Sequence, residues 1–249
     1  MFGQSVKNIF VAGHRGMAAL YPENTMVSFI AAHKAGVDMI EMDLHLSKDG
    51  ELVVFHDYTV ERTTDGAGAV SSFTISELKK LDAGAKFDNK FAGERVITFD
   101  EFLEFVKTTD LTLNVEVKNY SHECIDKAVK ALNDAGLRGR YVLASWNAKA
   151  ALYAHTAHNV PFQGFPFRIM SDGSESIYKH LYSVGVPCDR LGEPDFKKEI
   201  FEKLGIDYWT WCPDTEDNVI KCVKAGTTLM TCNDPLPALK YLKENKLHK

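Results

Sequence analysis

The sequence contains no apolar run that approaches the roughly 18 residues of a membrane-spanning helix. Its first apolar run, at 9–12, is also too short for the core of a signal peptide. Basic blocks are absent, and 29 Lys and Arg against 34 Asp and Glu give a net charge of −5. Because sequence-independent nucleic-acid binding depends on clustered positive charge, we expect no nucleic-acid partner. We also expect no stable membrane anchor.

Cysteine is sparse, and the five cysteines are scattered without a C-x-x-C pair. This pattern argues against a disulfide framework and against a zinc knuckle, so we expect a reduced, cytoplasmic protein. Motifs of several enzyme classes are missing as well. The chain has no G-x-G-x-x-G after its first predicted strand, no P-loop and no G-x-S-x-G nucleophile elbow. The sequence does not specify an oligomeric state.

Short apolar or β-branched runs alternate with segments of helical periodicity along all 249 residues. Eight strand–helix pairs are typical of a (β/α)8 TIM barrel, an α/β fold that we predict for 1–249 as a single domain. A doubly wound open sheet is the structural alternative. Four glycines, Gly36, Gly136, Gly205 and Gly226, lie where helix C-terminal caps are expected. The predicted strands are 8–13, 37–45, 111–118, 140–144, 160–164, 184–188, 206–211 and 227–231, and the predicted helices are 24–35, 98–108, 121–135, 147–156, 174–183, 194–204, 215–225 and 235–245.

One connection is unusually long, because roughly 65 residues separate the second and third predicted strands. Asp49-Gly50 is a common signal for a two-residue hairpin, so we predict that the chain extends the second strand and turns back. The remainder, 58–97, is polar and dotted with glycine, with one short helix near 76–81. Insertions after barrel strands lie on the catalytic face, and we therefore expect 58–97 to form a small subdomain that caps the site.

Carboxylates alternate with apolar residues along the second predicted strand. Met42 and Leu44 share one face, and Glu41 and Asp43 share the other. The apolar pair is expected to face the helices. Both carboxylates then point toward the barrel axis.

The third predicted strand repeats this pattern, since its two valines take the helix side and Asn114, Glu116 and Lys118 point inward. Buried carboxylates need a compensating cation. Carboxylate oxygens suit Mg²⁺ or Ca²⁺, so the three inward carboxylates predict a divalent metal site. A structural ion pair with Lys118, or strand ends that reach solvent, is the alternative interpretation.

The hairpin is predicted to add a histidine to this cluster. A two-residue turn at Asp49-Gly50 would pair Lys48 with Glu51 and therefore place Asp43 opposite His56. A turn that differs by one residue would move His56 to the other face. Among the other histidines, only His45 continues the inward face.

The first predicted strand ends in His14 and Arg15, flanked by glycines, at the position where barrel enzymes carry catalytic groups. His14 can carry a proton near neutral pH, and Arg15 offers a fork of donors that suits phosphate. A turn with exposed charge is the alternative. Next along the chain, Asn24 or Thr25 is predicted to cap the following helix. Glu23 is close enough in sequence to orient His14 or Arg15.

Seven short motifs follow one another along the sequence in this order: His14-Arg15-Gly16, Pro22-Glu23-Asn24-Thr25, Glu41-x-Asp43, Ser47-Lys48-Asp49-Gly50, His56-Asp57, Arg62-Thr63-Thr64 and Glu116-x-Lys118. This set resembles the glycerophosphodiester phosphodiesterase family, whose fold is a (β/α)8 barrel related to phosphatidylinositol-specific phospholipase C. The resemblance is dense to about residue 120. It is looser at Ser145-Trp146, at Trp211 and at 231–235.

The resemblance implies a metal-dependent enzyme that hydrolyses small glycerophosphodiesters, such as glycerophosphocholine or glycerophosphoethanolamine, to sn-glycerol 3-phosphate and an alcohol. The attacking oxygen would come from water or, through a cyclic phosphate, from the glycerol 2-hydroxyl. Position by position, the resemblance implies that Glu41, Asp43 and Glu116 are ligands for Mg²⁺ or Ca²⁺. It implies that His14 and His56 are the acid–base pair. It further implies that Arg15 and Lys118 contact the phosphate and that Trp211 lines the glycerol pocket.

The C-terminal half departs from the family pattern. Positions 231–235 read Thr-Cys-Asn-Asp-Pro where the family usually shows Thr-Asp-x-Pro, and 208–213 read Tyr-Trp-Thr-Trp-Cys-Pro where it tends to show Trp-Thr-Val-Asn. These departures bear on the preferred head group. Two other functions stay open: a lysophospholipid- or phosphoinositide-type phosphodiesterase or lyase on the same barrel, and a non-catalytic phosphate-binding barrel.

Overall fold

Nine strands form the central sheet of the computed structural model, which describes residues 8–118, 121–165, 175–191 and 198–248. They are β1 (Phe10–His14), β2 (Met39–Leu46), β3 (Leu52–Val54), β4 (Thr112–Val117), β5 (Tyr141–Ala144), β6 (Phe162–Gly164), β7 (Ser183–Pro187), β8 (Asp207–Trp211) and β9 (Leu229–Cys232). All except β3 are parallel to their neighbours, and β1 pairs with both β2 and β9. These two pairings close the sheet, which confirms the predicted TIM barrel and excludes an open doubly wound sheet.

Helices surround the barrel. Gly36 and Gly226, with φ of 89° and 81°, end two of them in the left-handed conformation that glycine adopts without a Cβ clash. The α-helices in the described ranges are α1 (Met26–Ala35), α2 (Ile75–Leu78), α3 (Phe99–Val106), α4 (His122–Asp134), α5 (Ala148–His158), α6 (Lys198–Leu204), α7 (Glu216–Ala225) and α8 (Leu236–Glu244).

Two predicted helices differ in extent from the observed ones. The helix predicted at 174–183 is a 3₁₀ segment, Glu175–His180, because β7 already begins at Ser183 and leaves no room for further turns. The helix predicted at 194–204 is observed as α6. Positions 174 and 194–197 lie outside the described residues.

The two faces of the barrel strands carry different residues. Outside, Met42 and Leu44 of β2 and the valines of β4 pack against the helices in the main hydrophobic core, as predicted. Inside, the amino-terminal ends of the strands carry an apolar plug of Ala12, Met39, Val142, Trp209 and Leu229. Because successive side chains alternate along a strand, residues two or four positions after these plug residues also point into the barrel. The plug therefore fills the bottom of the barrel and leaves its carboxyl end to polar groups.

The hairpin of β2 and β3 has a different register from the predicted one. Leu44 pairs with Val54 and Leu46 with Leu52, so the turn spans three residues, 48–50, rather than two. Gly50, with φ of 78°, supplies the left-handed residue that a three-residue turn requires. The prediction that Asp43 lies opposite His56 was therefore wrong. The turn geometry, which alternation does not determine, set the register.

Residues 58–97 form a small insertion after this hairpin. It contains two 3₁₀ turns, Val70–Ser72 and Asn89–Phe91, and the short helix α2. Its own apolar cluster includes Val60, Val70 and Leu78, which pack against Phe55. This cluster anchors the insertion to the barrel next to the carboxyl ends of β2 and β4.

Two remaining features bear on the sequence predictions. Within the described ranges, none of the helices combines the length and apolar character needed to cross a bilayer. The five cysteines are free, and all but the half-buried Cys212 are buried.

Candidate active site

Three carboxylates converge at the carboxyl ends of β2 and β4. Glu41 and Asp43 point inward from β2, and Asp43 stands in register with Glu116 of β4. One ligand oxygen from each of the three lies within 4.8 Å of the others, and all three side chains are buried. Strand alternation thus brings together the three residues that the sequence singled out as metal ligands.

Two cations face this cluster. The Lys118 ammonium lies 2.5 Å from Glu116 Oε1 and 3.1 Å from Asp43 Oδ1. Arg15 Nε is 3.4 Å from Asp43 Oδ2, and the Arg15 backbone N–H donates to Glu41 Oε2 at 3.0 Å. The ion pair with Lys118 that the sequence left as an alternative is therefore present, beside the carboxylate cluster rather than in place of it.

The charges in the cluster are incompletely balanced. Burial and the Asp43 charge raise the pKa of Glu41 well above its usual range. Burial also raises the pKa of Glu116, and the Lys118 charge only partly opposes this. Burial raises the pKa of Asp43 as well, but Lys118 and Arg15 outweigh it and hold that pKa below the usual range. A further cation would let all three carboxylates ionise together.

The donor set fits a divalent metal ion. Asp43 Oδ1 is buried, and its 3.1 Å ion pair with Lys118 lacks the geometry of a hydrogen bond. Three carboxylate oxygens that face one point are hard ligands, which Mg²⁺ and Ca²⁺ prefer to nitrogen or sulfur. The cluster of Glu41, Asp43 and Glu116 can therefore hold a divalent cation.

His14 ends β1 and is held by the loop after β9. Its Nδ1 is 2.6 Å from Asn233 Oδ1, while Asn233 Nδ2 donates to Asp214 Oδ2 at 2.7 Å. Because Asp214 fixes the amide orientation, Asn233 Oδ1 must accept a hydrogen bond from the N–H at His14 Nδ1. Burial and the Arg15 charge lower the pKa of His14 to about 4. Neutral His14 therefore presents an unprotonated Nε2 to the cavity, 3.8 Å from Glu41 Oε2.

His56 reaches the same cavity by a route that the sequence did not predict. The strand β3 ends at Val54, and Phe55 N–H donates to the Asp43 carbonyl at 3.0 Å. The chain then leaves the hairpin, and this bend places His56 on the cavity wall. His56 Nδ1 lies 2.5 Å from Asp57 Oδ1, so the neighbouring carboxylate orients the ring.

Asn24 is a site residue that the sequence assigned only to helix capping. Its Nδ2 donates to Asp43 Oδ2 at 2.9 Å, and its backbone has a φ of 56°. Thr25 occupies the N-cap position of α1 instead, without a side-chain capping bond. Arg15 also has a positive φ, 51°. Such conformations cost on the order of 1 kcal/mol in residues other than glycine, and here they aim polar groups at the carboxylates.

Aromatic side chains form one wall of the cavity, whose volume is about 190 Å³. Trp146 stacks on Phe165 at 3.8 Å between ring centroids and meets Trp211 edge-on at 6.5 Å. On the floor, Asn114 Nδ2 donates to Gln163 Oε1 at 2.5 Å. Both histidines, Arg15 and Lys118 line the same cavity. The cavity thus joins an apolar wall to a charged one.

A closed α/β barrel with buried carboxylates, two cations and two histidines at its carboxyl end has the architecture of a barrel enzyme, because such enzymes carry their functional groups at the carboxyl ends of the strands. The model of the Glycerophosphoryl diester phosphodiesterase family matches residues 14–184. The chain belongs to this family and is a phosphoric diester hydrolase of the glycerophosphodiester phosphodiesterase type.

Individual relatives agree with this assignment. The glycerophosphodiester phosphodiesterase of Caldanaerobacter subterraneus subsp. tengcongensis is 34% identical over 245 residues, which cover 94% of this chain and 98% of that protein. A Bacillus subtilis glycerophosphodiester phosphodiesterase is 33% identical, with 93% and 85% covered.

Solved structures share the fold. The chain is similar to a glycerophosphodiester phosphodiesterase from Agrobacterium tumefaciens, with a TM-score of 0.78, 23% identity and coverage of 93% of this chain and 99% of that one. It is also similar to an Oleispira antarctica phosphodiesterase in complex with the product sn-glycerol-3-phosphate, with a TM-score of 0.82, 24% identity and coverage of 94% and 96%.

Proposed function

We propose that the enzyme hydrolyses glycerophosphodiesters such as glycerophosphocholine and glycerophosphoethanolamine to sn-glycerol 3-phosphate and the free alcohol. The observation that carries this proposal is the meeting of the carboxylate cluster, both histidines, Arg15 and Lys118 in one cavity. The product complex of the Oleispira antarctica relative supports the same substrate class.

Glu41, Asp43 and Glu116 hold a divalent cation, Mg²⁺ or Ca²⁺, in this proposal. When bound, the cation supplies Lewis acidity toward a phosphoryl oxygen and lowers the pKa of an attacking hydroxyl. Arg15 and Lys118 contact the phosphate oxygens and offset the negative charge that grows on them in the transition state. The positive φ of Arg15 directs its backbone N–H to Glu41 and leaves the guanidinium at the cavity wall.

In this proposal the two histidines act as the general base and the general acid of the reaction. We assign the general base to His14, because its unprotonated Nε2 faces the cavity. We assign the general acid to His56, because Asp57 lies 2.5 Å from its Nδ1 and so orients the ring at the wall of the cavity. His14 takes a proton from the attacking water or glycerol 2-hydroxyl as its oxygen bonds to phosphorus. The bond between phosphorus and the choline or ethanolamine oxygen then breaks, and His56 protonates that oxygen. Attack by water gives sn-glycerol 3-phosphate directly, whereas attack by the 2-hydroxyl gives a cyclic phosphate that a water molecule then opens to the same product.

The aromatic wall selects the organic part of the substrate. Trp211 and Trp146 present ring surfaces to the carbon skeleton of glycerol, while Asn114 and Gln163 lie within the same cavity as partners for its hydroxyls. Small cavities of this kind bury a ligand mostly against apolar surface and orient it with a few polar groups. We therefore expect Trp211→Ala to raise KM for glycerophosphocholine more than it lowers kcat.

Product analysis tests the proposed function. The purified protein, supplied with Mg²⁺ or Ca²⁺, should release choline and sn-glycerol 3-phosphate in equal amounts from glycerophosphocholine. His14→Ala should abolish most of this activity and thereby exclude a contaminating enzyme. Release of phosphocholine, cleavage of lysophospholipids or phosphoinositides alone, or binding without turnover would each contradict the proposal.

A further inference from the structure

Arg62 belongs to the Arg62-Thr63-Thr64 motif, which has no place in the site described so far. It lies in the insertion, and its guanidinium contacts two carboxylates at once. Toward Glu23, NH1 and NH2 donate to Oε2 and Oε1 at 2.7 Å each. Toward Asp57, Nε donates to Oδ2 at 2.6 Å and NH2 to Oδ1 at 3.0 Å. Each carboxylate thus receives a paired, bidentate contact.

The two carboxylates serve different parts of the active site. Asp57 accepts from His56 Nδ1 at 2.5 Å. Glu23 accepts from NH1 of Arg15 at 2.9 Å. A continuous chain of hydrogen bonds therefore runs from His56 to Arg15, and Arg62 is its midpoint.

Local structure holds Arg62 in place. Val60 is buried in the apolar cluster of the insertion. The Thr64 hydroxyl donates to the Val60 carbonyl at 2.8 Å, and the Thr64 backbone N–H donates to the same oxygen at 3.1 Å. These bonds fix the turn at 60–64 and aim Arg62 back at the barrel. The Arg-Thr-Thr motif thus combines an anion-binding fork with the turn that positions it.

The charged groups along this chain of hydrogen bonds stabilise one another. Burial raises the pKa of Asp57, but hydrogen bonds from Arg62 and His56 outweigh it and lower that pKa to about 2. Burial likewise raises the pKa of Glu23, and the contacts with Arg62 and Arg15 again outweigh it. Without Arg62, Glu23 and Asp57 would lose their shared cation and repel each other. Lysine carries one point charge and cannot form two bidentate contacts.

We propose that Arg62 is a positioning residue that couples the orientation of His56 to that of Arg15, so that the insertion must be docked for both groups to be aligned. This inference rests on the proposed function, because it assigns Arg62 a role in that same reaction. Arg62 touches neither the carboxylate cluster nor the cavity and acts only through Asp57 and Glu23. Misplacement of reacting groups by remote changes can cost on the order of 10²-fold in rate.

Kinetics of matched variants form the first test. Arg62→Gln and Arg62→Lys should both lower kcat for glycerophosphocholine by roughly 10²-fold. Arg95→Gln is the control, since Arg95 lies in the same insertion and donates to the Lys80 carbonyl away from the cavity. It should retain the wild-type kcat.

A double-mutant cycle tests whether Arg62 acts through Asp57. In the Asp57→Asn background, Arg62→Gln should lower kcat by far less than in the wild type. Wild-type kcat in Arg62→Gln, full rescue by Arg62→Lys, or independent effects of Arg62 and Asp57 would overturn the inference.

A second measurement does not depend on turnover. The proton that His56 Nδ1 shares with Asp57 can be followed by NMR in the ¹⁵N-histidine-labelled protein, with His56→Gln to identify its signal. The signal should shift or broaden in Arg62→Gln and stay unchanged in Arg95→Gln. An unchanged signal in Arg62→Gln would overturn the coupling. If the wild type cleaved no glycerophosphodiester, the proposed function would fail, and this signal would still decide whether Arg62 orients His56.

Discussion

Asn233 Oδ1 lies 2.6 Å from His14 Nδ1, although 219 positions separate the two residues in the sequence. The contact exists because β1 and β9 are neighbours in the closed barrel, so the ends of the two strands meet. Asp214, in the loop after β8, holds the Asn233 amide with bonds to both its side chain and its backbone N–H. Barrel closure thus sets the tautomer of a histidine at the active site.

The first prediction concerns Asn233. Asn233→Ala removes the acceptor of His14 Nδ1–H, and we expect kcat to fall by about 10–100-fold, the range known for groups that orient metal-ligating histidines through the same ring nitrogen contact. Initial rates on glycerophosphocholine measure this effect. Asn245→Ala, which removes an exposed amide from the end of α8, is the control and should leave kcat unchanged. Equal rates for the two variants would exclude a role for Asn233 in orienting His14.

The second prediction concerns the metal site. Glu116→Gln replaces one charged ligand of the buried cluster and should weaken binding of Mg²⁺ or Ca²⁺ by roughly tenfold or more, since ligand charge sets the affinity of such sites. Isothermal titration calorimetry gives the dissociation constants. Glu123→Gln, an exposed glutamate paired with Lys127, is the matched control. The metal assignment would be contradicted if both variants bound the cation as tightly as the wild type.

The third prediction concerns Lys118. Lys118→Met removes the cation that contacts both Asp43 and Glu116 in a buried site. Breaking a buried ion pair from one side costs about 3–5 kcal/mol, so we expect a loss of this order in the free energy of unfolding without metal. Saturating divalent metal should restore part of it, because the cation binds the folded state. Urea unfolding with and without EDTA provides the values.

Lys130→Met serves as the control for this experiment, since Lys130 forms an exposed pair with Asp134 on α4. Such pairs contribute about 0–1 kcal/mol. A metal-free Lys118→Met protein as stable as Lys130→Met would show that the carboxylate cluster does not depend on Lys118.

The fourth prediction concerns pH. The pKa of Asp57 is lowered to about 2 in the folded protein, against about 3.9 for an unfolded aspartate. Between about pH 2 and pH 4 the unfolded state therefore binds more protons than the folded state. The stabilisation that Asp57 contributes is present above about pH 4 and is lost as the pH falls toward 2. The difference in free energy of unfolding between wild type and Asp57→Asn should accordingly narrow below about pH 4. Urea unfolding from neutral pH to pH 3 measures it.

The exposed Asp110 offers a comparison for this pH series. Asp110→Asn should follow the wild-type curve, because no described contact of Asp110 is lost. A difference between wild type and Asp57→Asn that stayed constant on acidification would contradict the prediction.

The fold and the carboxylate cluster could be predicted from the sequence because they depend on alternation. Glu41 and Asp43 had to point away from Met42 and Leu44, and the apolar pair had only the helices to pack against. Alternation is a local property of a strand, and the closed barrel then brought β2 and β4 side by side.

Other parts of the site depend on geometry that alternation does not encode. One additional residue in the turn at 48–50 changed the hairpin register, so the route that placed His56 was wrong although His56 lines the cavity. Asn24 looked like a helix cap, because its positive φ and its bond to Asp43 arise only in the folded loop. Asn233 directly follows β9, and the rule that strand ends carry functional groups could have found it.

The most direct test of the central claim is the activity of metal-free protein on glycerophosphocholine. After chelation and removal of the chelator, we expect no detectable release of sn-glycerol 3-phosphate, and we expect Mg²⁺ or Ca²⁺ to restore turnover in the wild type. The same addition should restore far less activity to Glu116→Gln. Undiminished turnover by the fully metal-free wild type would contradict the assignment of Glu41, Asp43 and Glu116 as ligands of a cation required for the reaction.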